Sequence, residues 1–176
     1  MDDGSRQVSA IDAATGQAGV PDHHDLRRLL AYWSNCCNGR PFPQRRDIDA
    51  VDLVFMLSRV ALTEVHDDDP RDPPTAQPRS SSGGRYYRFR IVGGWWRDVV
   101  GREMTGSWAD ELPEPRMTDI TLDFYEKMIA LRRPLFANRN AWIEERRLNY
   151  QIMILPLSED GARISMIMTG IGPHSV

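Results

Sequence analysis

The sequence predicts an α+β domain in which helices cover one face of an antiparallel sheet. Three observations carry this. Two strand-like segments, 60–65 and 85–93, precede a long amphipathic stretch between Pro115 and Pro134. Three more strand-like segments follow it, at 135–143, 146–157 and 162–171. The last two meet around Ser158-Glu159-Asp160-Gly161, a strong hairpin signal. Strands gathered on either side of a helical block, rather than alternating with helices one by one, are the α+β pattern.

The elements follow in chain order. Residues 1–21 are rich in Gly, Ser, Ala, Asp and Gln without an apolar period, so they bury too little to offset their ordering entropy and are expected to form a flexible arm. Residues 22–58 form a helical leader. Leu26, Leu29, Leu30 and Trp33 fall at i, i+3, i+4 and i+7, with Asp22 or Asp25 as cap and an end near Gly39. Arg40-Pro41-Phe42-Pro43 then forces an extended link, and Asp47 or Asp49 caps a short second helix through Leu57. The main domain spans 59–172, with a Pro-, Ser- and Asp-rich surface loop at 66–84 and a tail at 173–176. Strand 85–93 alternates, with Tyr87, Phe89 and Ile91 on one face and Arg88 and Arg90 on the other, and Gly93-Gly94 ends it. Met117, Ile120, Phe124, Met128 and Leu131 mark the stripe of the long helix.

Composition narrows the function. Hydrophobic residues at 41% and charged residues at 27% suit one globular domain, and a net charge of −3 gives no electrostatic drive toward nucleic acid or acidic membranes. No apolar run approaches the ~20 residues that span a bilayer, and no secretory leader is visible, so a cytoplasmic location is expected. Only Lys127 among the 22 basic residues is lysine, which weakens any inference from arginine number alone. Cys36 and Cys37 are adjacent and lack zinc-site spacing; they read as helix-end residues, with a vicinal disulfide or redox switch as the alternative.

Phe89-Arg90-Ile91-Val92-Gly93, Gly101-Arg102-Glu103-Met104-Thr105-Gly106 and Glu111-Leu112 give a strand, hinge, short helix, glycine turn and another helix. This spacing resembles the signature of PAS domains. It looks closest to a bacterial family of small PAS-like proteins of unknown function, which also matches the leader at Leu30, Trp33, Gly39-Arg40-Pro41, Pro43, Arg45 and Asp47-Ile48-Asp49. The resemblance covers roughly Leu26 to Ile171. It implies a five-stranded antiparallel sheet cupping a cavity, and a role in signal sensing or protein interaction. Two departures stand out: the indole pair at Trp95-Trp96, and the long insertion after Val65.

The strand faces read as inward offer Tyr87, Phe89, Ile91, Tyr150, Ile152, Ile154, Ile164, Met166 and Met168, with Phe124 and Met128 across from them and Trp95, Trp96 and Trp108 at the wall. Such a list describes either a pocket for a small apolar or planar ligand or a filled core. No cofactor is required. Haem needs an axial donor, and His23, His24, His66 and His174 lie in leader, loop or tail; a cysteinyl-flavin needs a cysteine within the core, and both cysteines precede it. His66-Asp67-Asp68-Asp69 reads as a solvated charge run rather than a cation site, so no metal is expected. Arg40, Arg45 and Arg46 either pair with Asp47, Asp49 and Asp52 or cradle a phosphodiester such as a cyclic dinucleotide. Glu144 to Arg147 are expected to form cross-strand pairs. No nucleophile–base set, paired-carboxylate pocket or nucleotide loop appears, so no enzyme is expected. No output module follows Ile171. A stand-alone sensor or an adaptor with a filled core is therefore expected, acting through a signalling protein in trans and forming a homodimer through Leu26, Leu29, Leu30 and Trp33.

Overall fold

In a computed structural model of the chain, the described residues are 8–10, 20–71, 83–113, 115–143 and 146–174. Most of the expected arm, the middle of the long loop, Glu144 and Glu145 and the end of the tail lie outside them. The side chains of Arg146 and Arg147 do too.

Helix α1, His24–Cys37, forms where the i, i+3, i+4, i+7 stripe predicts, and buries Leu26, Leu29 and Trp33. Its cap is neither aspartate but His23, whose ring accepts the Asp25 amide at 3.2 Å. It ends on Asn38 in the left-handed region. The expected second helix is instead a series of tight turns, opening with a 3-10 turn at Arg45–Asp47 and closing with one at Leu57–Arg59.

The strands are β1 (Val8–Ala10), β2 (Val60–His66), β3 (Tyr86–Val92), β4 (Leu135–Ile143), β5 (Arg146–Leu157) and β6 (Met166–Pro173), in the order β1-β4-β5-β6-β2-β3, all antiparallel. Five of them form the expected sheet. The sixth, β1, is a three-residue edge strand on β4, from the segment expected as an arm. The helices α2 (Gly94–Val100) and α3 (Pro115–Leu131) follow β3, as the glycine hinge and the proline-bounded stripe predict. The chain has a PAS-like α+β fold.

Register assigns each side chain to a face. Gly170 lies under α1: a Cβ there would sit 2.4 Å from Leu29 Cδ2 and 3.2 Å from Leu26 Cδ2. Its cross-strand partners Val60 and Met153 share that face, as do Met168, Leu62 and Leu155 one step along. The opposite face carries Thr63, whose hydroxyl meets Tyr125 of α3 at 3.3 Å, together with Thr169, Ile167, Ile154, Ile152 and Tyr150. The central strands are thus covered on both sides, which explains why β5 and β6 read as near-continuous apolar runs rather than alternating ones.

Candidate functional site

The α3 side of the sheet gathers most of the residues expected to line a cavity. Tyr87 and Phe89 point there from β3, opposite Val65 and Thr63. Tyr87 stacks on Tyr125 at 5.1 Å and donates its hydroxyl to Glu126, which Arg85 also binds at 2.6 Å. Burial first, then the neighbouring carboxylate, push the Tyr87 phenol far above its ordinary range, so it stays a donor. Phe124 and Met128 are buried in α3.

At the other end of this face Trp95 and Trp96 of α2 meet edge-to-face at 5.0 Å, and both reach Tyr150 of β5, at 6.1 and 6.2 Å. Beside them Arg139, paired with Tyr150 across β4 and β5, is buried with its guanidinium 4.9 Å from the Phe124 ring. Between the two ends lies Ile152, in the middle of the sheet, with Ala137 and Ile171 beside it fully buried. Ile152 is only half-buried, as is Trp95. Solvent thus reaches an inward side chain of a central strand on the face that carries Trp95 and Tyr150. Deeper, the buried Thr169 hydroxyl lies beside the Tyr125 hydroxyl that Thr63 also meets.

Four expected lining residues are not there. Ile91 is 47% exposed and lies opposite Leu62 on the α1 side, because a bulge at Leu62/Thr63 reverses the alternation that holds for Tyr87 and Phe89. Met166 and Met168 share parity with Gly170 and so face the α1 side. Trp108 bridges to Arg88, which lies opposite Glu64 on that same side. Its ring packs 5.6 Å from His66 and 4.6 Å from the Arg71 guanidinium. Arg71 in turn holds Asp69 at 2.8 Å and Asp110 at 3.0 Å, tying the loop after β2 to the turn after α2. Ile164, also expected inward, is buried in the turn before β6. Thr63, Tyr125, Arg139 and Thr169 join this face beyond the residues the strand patterns indicate, with Arg139 at the same parity as Leu135 and Ala137 along β4.

The remaining expectations meet the structure as follows. Leu26, Leu29 and Trp33 are buried in the chain's own core, with Trp33 Nε1 donating to the Pro156 carbonyl at 2.9 Å and Leu30 half-buried; the dimer surface expected of them is used internally. Arg40 donates to Asp47 Oδ2 at 2.5 Å and to the Cys36 and Cys37 carbonyls, while the Arg45 guanidinium binds the Ile48 carbonyl at 3.0 Å. These two arginines are engaged within the chain at the proline link, as the pairing alternative expects of Arg40; Arg46 is exposed. Cys36 and Cys37 are free thiols that burial pushes up, away from the reactive thiolate. Asp67 binds Arg163 at 2.9 Å, and among the described residues no three His, Cys, Asp or Glu side chains gather as a metal site. None of the described helices is long and apolar enough to cross a membrane.

No family model matches the chain, and no curated protein matches it. Among solved structures it is similar to the PAS domain of Bordetella pertussis BvgS, at 13% identity over 68% of this chain and 79% of that one with a TM-score of 0.48. It is also similar to a sensory box sensor histidine kinase from Vibrio cholerae, at 16% identity over 72% of this chain and 90% of that one with a TM-score of 0.46.

Proposed function

We propose that this chain is a sensory or regulatory PAS-like domain, without enzymatic activity, that takes a small apolar or planar molecule into the cleft between α2, α3 and the sheet and signals through a partner protein. The half-open Ile152 carries the reading. Its walls are aromatic (Trp95, Trp96, Tyr150) and one buried arginine borders them, the mix of apolar surface and few polar groups that small-molecule sites use. Cys36 and Cys37 lie on α1, and His23 packs against Gly172 on the α1 side, which supports a non-covalent ligand held without an axial donor.

Native mass spectrometry and an absorption scan of protein purified from its host test this. Extra mass, or a thermal shift in a metabolite panel, is expected. A ligand at about 100 times its Kd adds about 2.7 kcal/mol of stability. The variant Ile152→Trp, which fills the cleft, should lose the added mass while keeping its fold. A clean mass with no shift for any compound would leave the filled-core adaptor instead, a reading favoured by the complete burial of Met128, Leu135, Ile154 and Ile167 on the same face.

A further inference from the structure

The turns between the proline link and β2 present an apolar row to solvent. Amides there bond three residues back: Leu53 to Ala50, Val54 to Val51, Met56 to Leu53 and Arg59 to Met56, at 2.8 to 3.5 Å. Turns closed three residues back carry side chains three apart on roughly the same side and so sort the segment into three rows, although Met56, at φ −145° and ψ 19°, departs from regular 3-10 geometry before the last turn. Leu53 and Met56 form the inner row, buried with Met56 against Gly170. Asp52 and Phe55 form the second, with the Arg28 guanidinium of α1 lying 3.9 Å over the Phe55 ring. Val51, Val54 and Leu57 form the third and are 76%, 74% and 46% exposed. Three of the five exposed large apolar side chains among the described residues thus lie within this one segment.

We propose that the Val51, Val54, Leu57 row is the docking surface for an amphipathic helix of a partner protein whose flanks carry lysine or arginine. Exposed apolar side chains beside carboxylates suit the apolar stripe and basic flanks of such a helix. Residues 47–58 contain Asp47, Asp49 and Asp52 and no lysine or arginine. Asp47 is held by Arg40, which leaves Asp49 and Asp52 exposed beside the row. A second copy fits poorly. A two-fold contact on this row brings the aspartates of both copies together, and the three side chains offer on the order of 300 Å², against the ~800 Å² that each partner of a stable dimer contributes. The proposal rests on the protein-interaction half of the function above and makes no use of the cleft.

A labelled synthetic amphipathic peptide of leucine and lysine, and its version with glutamate for lysine, test the surface by fluorescence anisotropy on the full chain. The lysine peptide should bind and the glutamate peptide should bind about tenfold more weakly or not at all. Val54→Asp and Asp52→Lys should each weaken the lysine peptide by about tenfold, whereas Leu131→Asp, at an exposed apolar site elsewhere, should leave it unchanged. All three positions are exposed, and circular dichroism checks that the variants fold. Equal binding of the two peptides, or an affinity that Val54→Asp leaves intact, would overturn the proposal. A dimer in light scattering that Val54→Asp dissociates would overturn it in favour of a second copy. Failure here leaves the cleft reading standing, since ligand mass is measured separately.

Discussion

His23 shows how one side chain ties α1 to the sheet. Its ring nitrogen accepts the Asp25 amide, so it caps the helix only while that nitrogen is unprotonated. Gly172 lies beneath the ring with no room for a Cβ: an added carbon would come 2.5 Å from it. The His23 backbone amide donates to Gln151 Oε1 at 2.9 Å. Burial first, and then Arg59, His174 and His24 against the opposing pull of Asp25, hold its pKa below the ordinary 6.5. The unfolded chain therefore binds the proton more readily than the folded one. The contribution of His23 is complete above pH 6.5 and is lost as the pH falls from there toward the folded value. Urea melts between pH 5 and 8 should show stability falling on the acid side, and His23→Asn, which caps without titrating, should flatten that slope. His23→Ala should cost about 1 kcal/mol at pH 8. An unchanged pH slope in the asparagine variant would place the sensitivity in another histidine.

At the scale of elements, two glycines set how closely neighbours approach, and neither needs an unusual φ. Gly93, at the hinge the sequence marks, has φ −64°. What it requires is space: a Cβ would lie 2.2 Å from the Ser58 carbonyl oxygen and 2.8 Å from that of Leu57. Both obstacles are backbone. Gly93→Ala should therefore cost about 3 kcal/mol or more, while Gly170→Ala, which meets the movable tips of Leu29 and Met56, should cost nearer 1 kcal/mol. Urea midpoints decide the order, and equal costs would mean that the turn at Leu57–Arg59 moves freely. The glycine hinge was legible in the sequence, but its cause was not, because Ser58 and Gly93 are brought together only by the pairing of β2 with β3. The same limit explains Ile91. Strict alternation in Tyr87-Arg88-Phe89-Arg90-Ile91 gives no sign of a bulge that arises on pairing with Leu62/Thr63.

Across the whole molecule, the order of strands and the long helix were legible because each has its own period, whereas the sidedness of β6 was not. Met166-Ile167-Met168-Thr169-Gly170-Ile171 is apolar at both parities, so the sequence alone cannot say which set faces α3. The deciding residue is Gly170, whose missing side chain admits α1. This makes the leader helix a second wall of the core rather than a dimer arm, and the two roles differ measurably. Leu29 is fully buried against the sheet of its own chain, so Leu29→Ala leaves a cavity worth about 2–5 kcal/mol. For a domain of this size that lowers Tm by about 10 °C. If the helix packs within one chain, the loss is the same at every protein concentration; if it joined two copies, Tm of the parent chain would rise with concentration and the variant would flatten that dependence. Thermal melts across a hundredfold dilution series should therefore show parallel, concentration-independent curves, with the parent chain and the variant separated by a constant interval.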